Sequence, residues 1–244
     1  MKEMIKSALR GVGFELRRIQ PPKNRFTVGQ ITYDADPCSV GHEPQGELTG
    51  RGAIRFIRER GLKDLSVLDM CCGCGVIGLT IFSELRDDGT VKELGLVDIN
   101  IFNINSLERS LKLNGLDSLV GSQINYWLSD SLKNVPARQQ FDIIVSNPPH
   151  FFEEDRTTDP LVPRRLAKYD ADWSLHRSFY ERCHEYLTPR GEIWFLENGD
   201  AVTSKDLLPF IEANPNLEYV GEMVEPGDPT YFWMFSRRRG GAAK

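Results

Sequence analysis

The sequence predicts a doubly wound α/β fold, with a mostly parallel seven-stranded sheet, helices on both faces, and an antiparallel hairpin at the C-terminus. Three observations predict it. From about Ser66 onward, short apolar runs alternate with amphipathic stretches at helical spacing, the pattern of β–α–β units. The last two apolar runs are joined only by the turn Pro226-Gly227-Asp228-Pro229, too short for a parallel crossover, so they must pair antiparallel. Composition is that of an ordinary globular domain: of 244 residues, 40% are hydrophobic and 27% charged, enough to bury a sizeable core.

Residues 1–60 read as an N-terminal arm or cap. A basic amphipathic stretch with Lys2, Lys6, Arg10, Arg17 and Arg18 leads into Pro21-Pro22. Phe26, Val28, Ile31 and Tyr33 then suggest a small hairpin, and the Pro/Gly-rich PCSVGHEPQGELTG precedes a helix over Ala53–Arg60. This arm is short for a core of its own, which leaves residues 61–244 as the main domain. There, Ser66–Met70 is a short buried strand, Val76–Leu85 a helix and Leu94–Ile99 a second strand. Ile104, Leu107, Leu111 and Leu113 mark the next helix; Ile124–Leu128 and Phe141–Val145 are further strands. Leu175–Leu187 reads as helix, Glu192–Leu196 as strand, Leu207–Ile211 as helix, and LEYVGEMV and YFWMF as the closing hairpin.

Composition also excludes functions. With 30 Lys and Arg against 35 Asp and Glu, the net charge is −5, so no overall basic charge advertises a nucleic-acid partner. Local basic patches remain at the N-terminal arm, at Arg164-Arg165 with Lys168, and at Arg237-Arg238-Arg239. No apolar run approaches the roughly 20 residues that span a bilayer, and charges interrupt the apolar residues of the N-terminus, so a cytoplasmic protein is expected. The five cysteines (Cys38, Cys71, Cys72, Cys74, Cys183) are odd in number and three crowd into CCGC, which argues against a disulfide framework. No second Cys/His cluster has zinc-ligand spacing, so no metal is expected. A thiol near a helix N-terminus can have a lowered pKa, which raises redox sensitivity as a question for CCGC. His42, His176 and His184 show no partner spacing and read as structural or exposed.

The strongest local feature is VLDMCCGCGVIG. A strand ends at Asp69, glycines fall at Gly73, Gly75 and Gly78, and a helix follows. Glycines let backbone approach a ligand, and about 20 residues later a strand ends in Asp98, whose carboxylate can accept ribose hydroxyls. An adenosine-containing cofactor is expected from these residues alone; Gly73-x-Gly75-x-x-Gly78 with Asp98 is equally the fingerprint of a nicotinamide-dependent oxidoreductase.

Ser146-Asn147-Pro148-Pro149-His150-Phe151, at the end of the FDIIV strand, separates the readings. Over roughly residues 60–237 the chain resembles class I S-adenosylmethionine-dependent methyltransferases with a Rossmann-like sheet, of the HemK-like kind that carry an Asn-Pro-Pro-aromatic loop and methylate planar amino or amide nitrogens. The resemblance implies that Asp69, Cys71, Gly73 and Gly75 hold the methionine part of the cofactor. It implies that Asp98 takes the ribose, that Ile99 lies against the adenine and that Asp130 contacts the adenine amino group. Asn147, Pro148 and Pro149 would form the catalytic loop, leaving S-adenosylhomocysteine as product. Two departures stand out. His150 and then Phe151 follow the prolines where the family has Tyr or Phe, so the ring that stacks on the substrate is open between them. Cys71 fills a position usually held by Gly, and Cys74 one usually held by Thr or Ser.

The loop suits a weak nucleophile. An Asn side-chain oxygen and the Pro148 carbonyl can each accept one N–H, which turns the nitrogen lone pair toward an electrophile without a strong base. The prolines stiffen the loop, since each restricts its own φ and the residue before it. The acceptor class stays open between protein, RNA and small molecule. Residues 1–25 are short for the helical domain of HemK-type protein-glutamine methyltransferases. Pro189-Arg190-Gly191 followed by EIWFLEN resembles ribosomal-RNA guanine-N2 methyltransferases, and the polar segment Phe152–Arg177 resembles transfer-RNA adenine-N6 methyltransferases, where it reads as a substrate lid. Two rivals stand beside the methyltransferase reading: an NAD(P)-dependent oxidoreductase, and a non-catalytic relative that keeps the fold to activate a partner enzyme.

Overall fold

A computed structural model describes residues 24–36, 44–153 and 167–240. The basic N-terminal stretch, Cys38, His42, Arg164 and Arg165 lie outside the described residues. The strands are β1 (Asn24–Val28), β2 (Ile31–Ala35), β3 (Leu65–Met70), β4 (Val91–Asp98), β5 (Ile124–Leu128) and β6 (Phe141–Ser146). After them come β7 (Phe151–Glu153), β8 (Tyr169–Ala171), β9 (Leu187–Asn198), β10 (Leu217–Val224) and β11 (Tyr231–Arg238). The helices are α1 (Pro44–Glu59), α2 (Val76–Leu85), α3 (Ile101–Leu113), α4 (Ser174–Arg182) and α5 (Ser204–Glu212).

Seven strands form the central sheet in the order β10-β11-β9-β6-β3-β4-β5. Strands β9, β6, β3, β4 and β5 run parallel, and β11 pairs antiparallel with both β9 and β10, as the short turn demands. The chain leaves β3 toward β4 on one side and later returns to β6 on the other. The C-terminal ends of β3, β4 and β6 therefore open a crevice at the point where strand order reverses, the usual ligand site of such sheets. Alternation of side chains along the strands builds two cores. One joins Val67, Leu94, Leu96 and Ile143 to α1, α2, α3 and the β1–β2 hairpin. The other joins Leu68, Met70, Ile144 and Phe195 to α4 and α5.

Three elements differ from expectation. The helix expected over Ala53–Arg60 is α1, which starts at Pro44 and absorbs much of the glycine-rich stretch. Proline is well placed in a first turn, where its missing N–H costs nothing. The glycines serve packing: a Cβ on Gly52 would come within 2.5 Å of the Trp233 ring. The helix expected over Leu175–Leu187 ends as α-helix at Arg182 and tightens to a 3-10 turn over Cys183–Tyr186. The strand expected from Glu192 begins at Leu187, because a bulge opposite β6 takes up Pro189 and its neighbours.

Sequence patterning also missed how β2 is fastened. The backbone N–H groups of Thr32, Asp34 and Asp36 donate to the side chains of Asn114, Ser110 and Ser106, each at 3.0 Å. Four residues of helix advance about 6 Å and two residues of strand nearly 7 Å, so Ser106, Ser110 and Asn114 match every second N–H of β2. The edge of a two-stranded sheet thus finds its partners on a helix. Tyr33 adds a hydroxyl contact at 3.2 Å from Thr80 on α2. Replacing the fully buried Ser110 by valine should strand the Asp34 N–H and cost about 1–3 kcal/mol. Urea denaturation checks this; an unchanged midpoint would remove the ladder's role in stability.

Candidate active site

The crevice floor is set by three strand ends. Met70 of β3 lies in register with Ser146 of β6 and Val97 of β4, so Cys71, Asp98 and Asn147 emerge at one edge. Ser146 donates its hydroxyl to the Met70 carbonyl at 2.5 Å, and the Cys72 N–H reaches the Val97 carbonyl at 2.9 Å. Between β3 and α2 the backbone turns through the left-handed region at Cys71 (φ 60°), Gly73 (φ 57°) and Gly75 (φ 89°). The Cys71 value explains why glycine is favoured there: an L-residue in this region carries strain.

Two acids brace the turn. Asp98 accepts the Gly73 N–H through Oδ2 and the Asn100 N–H through Oδ1, both at 2.8 Å. Asp69 accepts the Gly78 N–H at 2.8 Å through Oδ2, and a Cβ on Gly78 would lie 2.9 Å from the Asp69 Cβ. Gly78 is therefore a packing glycine, while Gly73 and Gly75 shape the turn. Burial pushes Asp69 up to about 8, with the Gly78 N–H opposing and Asp98 adding to the rise. Burial also pushes Asp98 up to about 6, against the Asn100 N–H, the Asn103 side chain and the Gly73 N–H. The second Asp69 oxygen, Oδ1, is buried without a hydrogen-bond partner. Such an orphaned acceptor, in a glycine-lined crevice with two acids, fits a ligand carrying an amino group and a positive charge.

The neighbouring expected residues divide. Ile99 is 51% exposed at the crevice rim, open to a flat ligand. Asp130 is exposed and paired with Lys133. The CCGC thiols do not behave as helix-terminus thiols: burial, followed by the nearby Asp98 and Asp69, raises Cys71 and Cys72, and burial raises Cys74 to about 12. The suggestion of a lowered thiol pKa is thus corrected by desolvation and by two neighbouring acids. All the described cysteines are free, and no cluster of described His, Cys, Asp and Glu is placed to hold a metal ion.

Asn147 is half-buried, whereas Pro148, Pro149 and His150 are buried. His150 turns inward instead of outward. Its Nε2 is 3.0 Å from Asn147 Oδ1, and its Nδ1 is 3.0 Å from Glu197 Oε2 at the end of β9. Glu197 Oε1 lies 3.2 Å from His176 Nε2 on α4, and His176 Nδ1 is 2.6 Å from Asp170 Oδ2 on β8. Asp170 in turn accepts the Leu175 and His176 N–H groups, holding the first turn of α4. Ahead of that turn, Asp172 and Trp173 both take left-handed φ values, 55° and 50°, which swing the chain from β8 into the helix.

Of the two readings left open for His176, structural or exposed, the structure carries the structural one: it is fully buried and bonded through both ring nitrogens. Its partners lie 6 and 21 residues away, on β8 and β9, at spacings that follow no motif, although an acid inside the apolar run IWFLEN was a signal. Burial alone would lower the pKa of His176. Glu197 and Asp170 overcome burial and raise it to about 9. Burial would raise Glu197, and His176, followed by His150, more than reverses that, so Glu197 stays a carboxylate below its ordinary value.

Phe151 opens β7, half-buried, with Lys168 Nζ 4.7 Å from its ring centre and Tyr169 beside it. Of the basic patches, Arg237 pairs with Glu218, and Arg238 and Arg239 donate to the carbonyls of Leu187 and Leu217.

Comparison with known proteins settles the family. The family described as methyltransferase small domain matches residues 54–209. The chain belongs to the small methyltransferase domain family. Its members are S-adenosylmethionine-dependent methyltransferases, and this assignment displaces the oxidoreductase reading of the glycine turn. The chain is 28% identical to release factor glutamine methyltransferase of Borreliella burgdorferi, over 60% of this chain and 49% of that protein. It is also 28% identical to ribosomal RNA small subunit methyltransferase C of Pseudomonas aeruginosa, over 86% of this chain and 52% of that protein. The chain thus spans about half the length of these curated relatives. Among solved structures, the T. thermophilus 16S rRNA N2 G1207 methyltransferase, in complex with AdoMet and guanosine, shares the fold. Its TM-score is 0.58 at 18% identity, covering 86% of this chain and 47% of that one. Among the described residues no helix is long and apolar enough to cross a membrane.

Proposed function

We propose that this methyltransferase acts on a planar amino or amide nitrogen, with Asn147 and the Pro148 carbonyl holding the acceptor. The observation that carries the reading is the position of Asn147-Pro148-Pro149 immediately after β6, whose last residue Ser146 is in register with Met70, the residue before the glycine turn. The names of relatives support it, since one acts on glutamine of a release factor and another, by its title, on N2 of a guanine.

S-adenosylmethionine supplies an electrophilic methyl group on a sulfonium. The residues of the chain do the rest. Asn147 Oδ1 and the Pro148 carbonyl each accept one N–H of the acceptor, so its lone pair points along the transfer axis. Pro149 stiffens the loop. No side chain need remove a proton first, because the nitrogen becomes acidic only once methylated. Asp69 takes the amino group of the cofactor on its orphaned oxygen, beside the turn of Cys71, Gly73 and Gly75. Asp98 accepts the ribose hydroxyls with the lone pairs its backbone partners leave free, and Ile99 flanks the adenine. Asp130 reaches the adenine amino group only by yielding its Lys133 partner. Of the two candidate rings, Phe151 is assigned to stack on the acceptor, because both His150 ring nitrogens are engaged in the interior. Residues 61–244 are assigned as the methyltransferase domain and residues 1–60 as its cap.

The acceptor class is tested by labelled methyl transfer into a cell extract, followed by separate protease and nuclease digestion. Label lost to neither treatment and absent from small amines and amides would defeat the nitrogen reading. Cofactor binding gives a second expected result. Asp98→Ala should weaken S-adenosylmethionine by roughly ten- to a hundredfold, the worth of hydrogen bonds to a charged group.

The sign of the pH dependence follows from Asp98. Its native pKa, about 6, lies above the ordinary 3.8, so its contribution to the stability of the free protein is full below about pH 4 and lost as pH rises through about 6. Ribose hydroxyls donate to the charged form. Cofactor affinity should therefore strengthen as pH rises through about 6, with protons released on binding near that pH. Calorimetry in two buffers of different ionisation enthalpy reads this; proton uptake would contradict it.

A further inference from the structure

The Asn147 side chain needs a fixed direction to hold an acceptor nitrogen, and its own loop does little to fix it. Pro148 and Pro149 carry no N–H, so neither can fasten the loop through a backbone donor. The next backbone bond comes at Phe151, whose N–H donates to the Lys168 carbonyl at 3.0 Å. Among the described residues, the Asn147 side chain has one hydrogen-bond partner, the His150 ring, with Nε2 and Oδ1 3.0 Å apart.

The ring is itself anchored. Glu197 is a carboxylate and only accepts, so the Nδ1–H of His150 donates to it at 3.0 Å. His176 bonds to the other Glu197 oxygen, and Asp170 bonds to His176 and accepts N–H groups of the first turn of α4. Glu197 and His176 are fully buried, Asp170 is buried, and Tyr231 meets the His150 ring edge-on with centres 5.9 Å apart. A buried run of side chains thus reaches from β8 and α4 through β9 to the back of the catalytic loop. Its bond to Asn147 does not use up the amide. Whichever end of the amide meets the ring, the oxygen keeps a lone pair for the acceptor N–H.

We propose that His150 is a positioning residue: anchored on Glu197, it fixes the direction of the Asn147 side chain toward the acceptor nitrogen. The inference rests on the role given to Asn147 above and adds what holds that residue in place. It also gives a physical reason for histidine here instead of the expected Tyr or Phe, since neither of those rings has two nitrogens to bridge Glu197 and Asn147.

The two ring nitrogens can be removed separately. The amide nitrogen of asparagine lies as many bonds from the backbone as histidine Nδ1, and that of glutamine as many as Nε2. His150→Asn therefore keeps the bond to Glu197 and loses the one to Asn147, whereas His150→Gln does the reverse. Nitrogen-15 relaxation on the full chain reads how firmly the Asn147 side-chain amide is held, its signal identified by its absence from Asn147→Asp. The order parameter of that amide should fall in His150→Asn and stay nearer the wild-type value in His150→Gln. Labelled methyl transfer from S-adenosylmethionine into a cell extract should fall by about ten- to a hundredfold in His150→Asn, the cost of a misplaced reacting group. It should fall less in His150→Gln, with cofactor affinity unchanged in both. Urea midpoints should run the other way, because His150→Gln takes the donor from a buried Glu197 oxygen. In an Asn147→Ala background, His150→Asn should cause no further loss of transfer, since it acts through Asn147.

An Asn147 amide as ordered in His150→Asn as in the wild type overturns the proposal. So does a loss of transfer that follows the urea midpoint, or a further loss in the double variant. Should His150→Gln fail to fold, His150→Asn and the double variant still decide. Full activity of Asn147→Ala would instead defeat the role of Asn147 and leave the anchoring read by relaxation standing, so the two failures are distinguishable.

Discussion

Asn147→Ala is expected to lower methyl transfer by about a hundredfold or more while S-adenosylmethionine still binds with unchanged affinity. The substitution removes an acceptor that touches the nitrogen substrate and leaves Asp69, Asp98 and the glycine turn untouched. Its side chain is half-buried and bonds to His150, so the truncation creates no large core cavity. The effect should appear in kcat, because the acceptor N–H bonds align the lone pair in the transition state more than they hold the ground state. Calorimetric cofactor binding and labelled transfer, measured on the same preparation, separate the outcomes. A variant that binds cofactor and transfers at the normal rate would remove Asn147 from the catalytic loop.

The second large effect concerns stability. Glu197→Ala should destabilise the fold by about 3–5 kcal/mol near pH 6.5, the usual result of deleting one member of a buried ion pair. Glu197 and His176 are fully buried, and the glutamate joins His150 of the catalytic loop to His176 of α4. The sign runs two ways. Glu197 is held below the ordinary carboxylate value, so its contribution is present above about pH 4.5 and lost as pH falls through its native pKa. His176 is raised from 6.5 to about 9, so its contribution is full below about pH 6.5 and lost as pH rises through about 9. The wild-type protein should hence lose stability from neutral pH toward pH 9, and the gap to Glu197→Ala should narrow over that range. Urea denaturation at pH 6.5 and 9 reads both effects. A gap that stays constant would mean that His176 is not charged in the native state.

Much of this architecture was legible in the chain. Strand–helix alternation from Ser66, the helix Val76–Leu85 and the terminal hairpin all rest on local patterns of period two or 3.6, and the structure carries them. The glycine turn with Asp98 and the Asn-Pro-Pro loop were legible too, since each depends on backbone chemistry within a few residues. The start of α1 was not, because Gly50 and Gly52 read as loop residues until the surfaces of Ile77 and Trp233 are brought against them.

The least legible part was the acid–histidine chain. His150, Asp170, His176 and Glu197 come from four segments whose spacing follows no rule, and each taken singly is an ordinary residue. The sequence by itself determined the strand–helix alternation, the antiparallel closing hairpin, the glycine turn and the Asn-Pro-Pro loop, because hydrophobic period, glycine and proline act locally. Only the tertiary structure decided that His150 points inward, that His176 carries a proton and that Asn147 is held from behind. Those outcomes depend on burial and on charges brought within hydrogen-bonding distance, and neither exists until the sheet and its helices have closed.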